Sequence, residues 1–186
     1  MTPFRATFAL LALFLAGCAN LTTGLESTER GIDGIACVGS VTNSNAGLFA
    51  SDNLALLSKT QMPSDKGGVC AGKVFGASAP VVLYRVFDSS KPYTKFGNWW
   101  SLKPPGNSKA EYRAANAICP EWSNLDRLVS CEVRPGTQVV LGTTQSAQCA
   151  DGAVYAKTSE IQVFVPNDGR VGIIHVGNCA AEASWP

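Results

Sequence analysis

Short runs of branched and aromatic residues, separated by Gly, Pro, Asn and Asp, dominate the chain from residue 69 onward and predict strands. Val69 to Phe75 is the first run and Pro80 to Phe87 the second, reading Pro-Val-Val-Leu-Tyr-Arg-Val-Phe. A polar, proline-broken stretch from Asp88 to Gly97 follows, then Asn98-Trp99-Trp100-Ser101. Further strands are predicted at Leu128 to Arg134, Thr137 to Gly142, Ile161 to Val165 and Val171 to Val176. Arg134-Pro135-Gly136-Thr137 and Pro166-Asn167-Asp168-Gly169 have the composition of hairpin turns, where glycine can take a positive φ. Helical signals are scarcer. The principal helix is Ser108 to Ile118: Ser108 suits the N-cap, Glu111 fits a capping box, the alanines favour helix, and Pro120 stops it. A shorter helix is expected from Ser51 to Lys59, capped by Ser51 or Asp52 ahead of Leu54, Leu56 and Leu57. The pattern predicts a single α+β domain with a mostly antiparallel, twisted sheet and one principal helix.

The N-terminus follows another pattern. Arg5 precedes an apolar run from Ala6 to Leu15, which is the layout of a signal peptide. The run is too short to span a bilayer, which takes ~20 apolar residues. Leu15-Ala16-Gly17-Cys18 closes it and resembles the lipobox of bacterial lipoproteins. That resemblance implies removal of residues 1–17 and acylation of Cys18, so that the membrane is a partner through the N-terminal lipid. Ala19-Asn20 places no aspartate at the second position, which in the enterobacterial sorting rule points to the outer membrane or cell surface. Residues 18–34 are small and polar and read as the lipid-anchored tether, with the domain over 35–186.

Composition narrows the function classes. The chain has 15 basic and 14 acidic residues, and Arg5 leaves with the signal. A balanced charge argues against nucleic acid as the partner, because phosphate binding needs a basic surface. Apart from Cys18, six cysteines remain: Cys37, Cys70, Cys119, Cys131, Cys149 and Cys179. An even number in an exported chain predicts three disulfides. Cys37 and Cys70, both in the N-terminal third, are the favoured pair, and the other four staple the C-terminal part in an open order. With no C-x-x-C pair and a single histidine, no metal site is expected. His175 reads as a structural residue in an apolar strand, with no nucleophile-elbow glycine motif before any serine.

Three features remain that could carry chemistry. Arg85 sits in an apolar strand and needs an acceptor for its guanidinium, either within the fold or on an anionic ligand. Trp99 and Trp100 are adjacent, so in a strand only one can enter the core while the other lies at the surface or lines a cleft. Glu160 and Gln162 lie two residues apart at the start of a late strand.

The order Tyr84-Arg85-Val86, Gly97-Asn98-Trp99-Trp100-Ser101, a helix with Tyr112-Arg113, then Gln162-Val163-Phe164-Val165 resembles the ADP-ribosyltransferase superfold. It is most similar to the NAD-glycohydrolase toxin branch of the tuberculosis necrotizing toxin type. The match spans roughly Val81 to Val165. It lacks a Ser-Thr-Ser segment and a Glu-x-Glu or Gln-x-Glu pair. The resemblance implies NAD as substrate with no separate cofactor, and cleavage of its nicotinamide–ribose bond. It implies Arg85 as the phosphate clamp, with Trp99, Trp100 and Ser101 shaping the nicotinamide pocket. Gln162 would face the ribose, with Glu160 as second candidate. The alternative is a non-enzymatic envelope lipoprotein. It would grip glycan or a protein partner through Trp99 or Trp100, with Tyr93, Lys91, Lys95 and Lys103.

Overall fold

A computed structural model of the protein describes residues 29–186. The expected signal peptide, Cys18 and the expected tether up to residue 28 lie outside the described residues. The described residues form eleven strands: β1 (Leu48–Ala50), β2 (Val69–Ala77), β3 (Val81–Phe87), β4 (Trp99–Ser101), β5 (Arg127–Val133), β6 (Gln138–Thr144), β7 (Ala147–Gln148), β8 (Val154–Tyr155), β9 (Thr158–Phe164), β10 (Val176–Gly177) and β11 (Ala183–Ser184). Among them are also two α-helices, α1 (Leu54–Ser58) and α2 (Lys109–Asn116). The protein is α+β. Its main sheet runs in the order β1-β2-β6-β9-β4-β3-β5-β10, with β11 also on β5, and every strand pair in it is antiparallel.

The sheet curls because one of its faces is apolar along nearly its whole width. Leu48, Phe75, Leu83, Trp100, Val129, Leu141, Val163 and Val176 come from strands at both ends of the order yet belong to one buried cluster. Strands alternate their side chains, so the opposite face carries the residues that α1 and α2 cover. Here Leu56 of α1 packs with Val74, Val140 and Phe164.

Local chemistry accounts for the helix ends. Ser108 caps α2 by accepting from Glu111 N at 3.3 Å, as its spacing predicted. The helix ends earlier than Pro120 requires, because Ala117 turns left-handed (φ 49) and its N–H bonds back to Arg113 O. Asn53 caps α1, accepting from Leu56 N at 2.9 Å. Ser51, one of the two expected caps, accepts instead from the Gln138 side chain.

Three expectations are corrected. The predicted strand Val171 to Val176 shrinks to Val176–Gly177, which pairs with β5. Val171 and Ile173 find no strand to cover them and stay exposed in a loop, turned by Gly172 at φ 75 rather than by Gly169. Arg134 to Thr137 does form a turn, with Thr137 N donating to Arg134 O. It is no hairpin, since β5 pairs with β3 while β6 pairs with β2 and β9. The last residues of the expected tether fold onto the domain. Asp33 pairs with Lys157 at 3.0 Å, both side chains almost covered, and Arg30 bridges to Ala36.

The disulfides are Cys37–Cys70, Cys119–Cys149 and Cys131–Cys179. The first is the favoured pair. The second ties the segment after α2 to the small β7–β8 hairpin, and the third ties the C-terminal segment to β5.

A candidate ligand cavity around Arg85

The register of three strands sets the site. Ser101 on β4 pairs with Tyr84 on β3 and with Gln162 on β9, and Trp99 pairs with Phe164. Trp99, Ser101 and Gln162 therefore share the outer face, where α2 packs against β9. Trp100 points the other way and is 1% exposed in the core, its Nε1 donating to Gly97 O at 2.8 Å. The adjacent tryptophans thus divide as their alternation requires. Trp99 stays half-buried, edge-on to Phe164 at 5.1 Å between ring centroids.

Arg85 starts on the inner face, opposite Val129, but does not end there. β3 and β4 are paired only at Tyr84 and Ser101 and separate beyond that point. The guanidinium occupies the gap. Its Nε donates to Thr94 O at 2.6 Å, Nη1 donates to Trp99 O, and Cζ lies 6.0 Å from the Trp100 ring centre. Among the described residues no carboxylate forms an ion pair with it. Burial pulls its pKa down to about 10, which leaves it cationic at neutral pH.

Through this gap Arg85 borders a cavity of about 280 Å³ under the C-terminal half of α2. Trp99, Tyr112, Asn116, Trp122 and Gln162 line it, and Lys66 stands at its edge. Two cations and several aromatic rings meet there, and the lining includes no carboxylate. Such a surface suits a ligand with an anionic group and a flat ring.

Gln162 is buried, and Nε2 donates to Asn116 O at 3.1 Å and to Thr144 Oγ1 at 2.9 Å. With both amide hydrogens used, its carbonyl Oε1 is the group it can offer a ligand. Glu160 is placed elsewhere. It stays on the outer face, one step along β9, where the β6–β9 register shifts between Thr143 and Thr144. Glu160 and Ser101 instead line an adjoining cavity of about 240 Å³, which Tyr112 and Asn116 also border. Burial pushes the Tyr112 hydroxyl up from its ordinary pKa, opposed by hydrogen bonding to Ser101 and by the Arg85 charge.

Of the other sequence candidates, Lys103 borders the adjoining cavity with Glu160, and the rest are engaged or distant. Arg170 stacks over Tyr93 at 4.5 Å, Lys91 pairs with Asp88 and Lys95 with Glu182. His175 lies in the loop before β10, not within a strand, and borders a separate open depression with Arg134. That depression is larger, about 610 Å³, but its lining has no Trp, Tyr or Phe and lies apart from the Arg85 cavity.

Sequence reasoning missed Asn116, Trp122 and Lys66. The first sits at a helix end, Trp122 in a single 3-10 turn and Lys66 in a loop, none with a strand or helix period to flag it. Arg113 was legible only as part of a helix. It fixes the cavity's loop wall, donating to Ile118 O, Cys119 O and Ser123 O.

Asp88 anchors the same wall from below. Its carboxylate accepts from Ser90 Oγ at 2.6 Å and from Asn124 N at 3.1 Å, and it is 2% exposed. Burial alone would raise its pKa, but hydrogen bonds from Ser90 and Asn124 and the Lys91 charge outweigh that and hold it at about 2. A depressed carboxylate stabilises the fold above its unfolded pKa, roughly 3.9. That contribution is lost as pH falls from there through about 2. Denaturant midpoints should therefore fall with pH in this window, and Asp88→Asn should flatten part of the slope. An unchanged slope would remove Asp88 from this role.

An antiparallel sheet curled around one core, with a helix and a stapled loop closing an aromatic, cation-bearing cavity over its middle strands, defines the class of fold. No family model and no curated protein matches the chain. Among solved structures, a chain from the structure of Tne2 in complex with Tni2 is similar, with a TM-score of 0.46 and 14% identity. The match covers 62% of this chain and 93% of that one. At that level of likeness, the functional reading rests on the site's own residues.

Proposed function

We propose that the protein is an exported lipoprotein, anchored at the outer membrane or cell surface through Cys18, that binds NAD in the Arg85 cavity and cleaves its nicotinamide–ribose bond. The observation that supports this most is the convergence of Arg85, Trp99 and Gln162 on one carboxylate-free cavity. The resemblance asks for Arg85 and Gln162 or Glu160 in one cleft with a tryptophan, and Trp99 fills that place; of the pocket residues it names, Trp100 is 1% exposed in the core and Ser101 lines the adjoining cavity. At about 280 Å³ the cavity sits at the small end of ligand pockets, which run ~300–1,000 Å³. It therefore suits one end of the dinucleotide rather than the whole.

The chemistry is within reach of these groups. The glycosidic bond breaks, nicotinamide departs with the bonding pair, and the ribose carbon carries developing positive charge until water adds and releases a proton. Gln162 Oε1, the negative end of a fixed amide dipole, accepts from a ribose hydroxyl and stabilises that charge. Its orientation is set in advance by Asn116 and Thr144, so little reorganisation is needed during reaction. Arg85 holds the phosphates.

The test is NAD consumption by the oxidised, folded protein, with Gln162→Ala alongside. The wild type should convert NAD to nicotinamide and ADP-ribose. Gln162→Ala should lower kcat by about tenfold or more with little change in KM, the mark of an interaction made mainly in the transition state. A folded wild type that leaves NAD intact over hours would overturn the proposal and turn attention to glycan or protein binding through Trp99 and Trp122. A loss confined to KM would contradict the role given to Gln162.

A further inference from the structure

We propose that Gly97 is the seat that fixes where the Arg85 guanidinium stands, and that Asn167 holds this seat in place. Both are positioning residues, and their role in ligand binding rests on the Arg85 cavity as the site described above.

The argument begins with the absence of a side chain at Gly97. Its backbone is ordinary, with φ −76 and ψ −174, so any residue could adopt it. What demands glycine is space. A Cβ at this position would overlap Arg85 Nη2 and approach Cζ to 2.8 Å, so the guanidinium lies flat against the Gly97 Cα. Gly97 N and Arg85 Nε share one acceptor, Thr94 O, at 3.0 and 2.6 Å. The arginine is thereby locked to the turn that carries the glycine.

That turn is held from outside the strand. Gly97 O accepts from Trp100 Nε1 at 2.8 Å and from Asn167 Nδ2 at 3.2 Å. Asn167 is 4% exposed, although it sits in the loop between β9 and β10. Its Oδ1 accepts from His175 N at 2.7 Å, so both ends of the amide are committed. Asn98 completes the stitch, its Nδ2 donating to Val165 O at 3.1 Å and Asn167 O at 2.6 Å. A loop with no part in the cavity lining thus sets the position of the cavity's buried cation. Its sequence, Pro166-Asn167-Asp168-Gly169, reads as an ordinary turn, which is why the role is invisible without the fold.

The experiment is a double-mutant cycle read twice. Overpacking by Gly97→Ala should lower the melting midpoint by roughly 5 °C in the wild-type background. In the Arg85→Ala background the obstructing guanidinium is gone and only Thr94 O, 3.2 Å from a Cβ, remains close, so Gly97→Ala should shift the midpoint by less than about half as much. An equal shift in both backgrounds would overturn the seat. This arm needs no ligand, so it decides the seat even if NAD is not the substrate.

The second arm uses NAD as probe. Gly97→Ala should raise KM by about tenfold and Asn167→Ala by about threefold, with kcat changed less in both, and neither should add to the effect of Arg85→Ala. A KM unmoved by both variants while Arg85→Ala raises it would overturn the positioning role. A wild type without NAD turnover would overturn the proposed function alone.

Discussion

Arg85→Ala should raise the KM for NAD at least tenfold and remove most turnover at low substrate. Three observations set the size of the effect. The guanidinium is the buried cation of a cavity whose lining holds no carboxylate to neutralise it, and the other cation there, Lys66, is exposed in a loop. Its charge survives at neutral pH despite burial. A charge-assisted, forked contact to phosphate is among the stronger polar interactions a protein makes, at about 1.5–3 kcal/mol. The same substitution also removes the donors to Thr94 O and Trp99 O that close the gap between β3 and β4. Some loss of stability, about 1–3 kcal/mol, should accompany it, because Trp99 O loses this donor while Thr94 O keeps Gly97 N. Arg85→Lys separates the two effects. Lysine keeps the charge but lacks the planar fork, so it cannot bridge both carbonyls and still face a ligand. It should recover part of the affinity and little of the stability. Calorimetric binding and thermal melting of the three proteins check this, and an NAD affinity unchanged in Arg85→Ala would sink the clamp.

The sequence made the middle strands and the site's three main residues legible for a simple physical reason. Alternation along Tyr84-Arg85-Val86 and Trp99-Trp100-Ser101 is a period-two signal, and it requires that only one of two neighbours enter a core. That one tryptophan is buried and the other half-buried follows from it; that the buried one is Trp100 is set by the β4–β9 register. The failures share a different cause. Val171 to Val176 has strand composition, but composition does not supply a partner strand, and without one Val171 and Ile173 remain outside. Glu160 lies on the side of the sheet that Gln162 does, as counting two residues back requires, but lines the adjoining cavity, because alternation gives the face and not the place along the strand. Arg85 illustrates a third limit. An arginine on the inner face of a strand reads as either paired or exposed. Its actual position, in a gap between two strands and bonded to carbonyls on both sides, depends on how far β4 follows β3. No local pattern encodes that distance.

Removing the Cys119–Cys149 bridge by paired alanine substitution should both destabilise the protein and weaken NAD binding, whereas removing Cys131–Cys179 should only destabilise it. The bridges close loops of similar length, with sequence separations of 30 and 48. By unfolded-state entropy each contributes about 4 kcal/mol, slightly more for the longer loop. Their surroundings differ. Cys119 lies within the segment that supplies Ala117, Ile118, Trp122, Ser123 and Leu125 to the cavity. Apart from one turn at Pro120–Trp122, that segment has no regular structure to hold it. Its remaining restraints are the Arg113 hydrogen bonds, Asp88 beneath Asn124, and Ala150 N donating to Glu121. The last of these acts across the same gap as the disulfide, between the wall and the β7–β8 hairpin, and weakens if the two separate. Cys131 and Cys179 contribute nothing to the cavity lining. Alanine suits both pairs, since a serine hydroxyl at the buried positions would lack a partner. Measured at a temperature where both variants are folded, the KM for NAD should rise several-fold for Cys119→Ala/Cys149→Ala and stay near wild type for Cys131→Ala/Cys179→Ala. Under the proposed function the consequence is one of compartment: in reducing surroundings the cavity wall would lose its staple, so full NAD binding should develop only once the bridge is oxidised. Equal KM values in the two variants would show that Arg113 and Asp88 suffice to order the wall, and would remove that coupling.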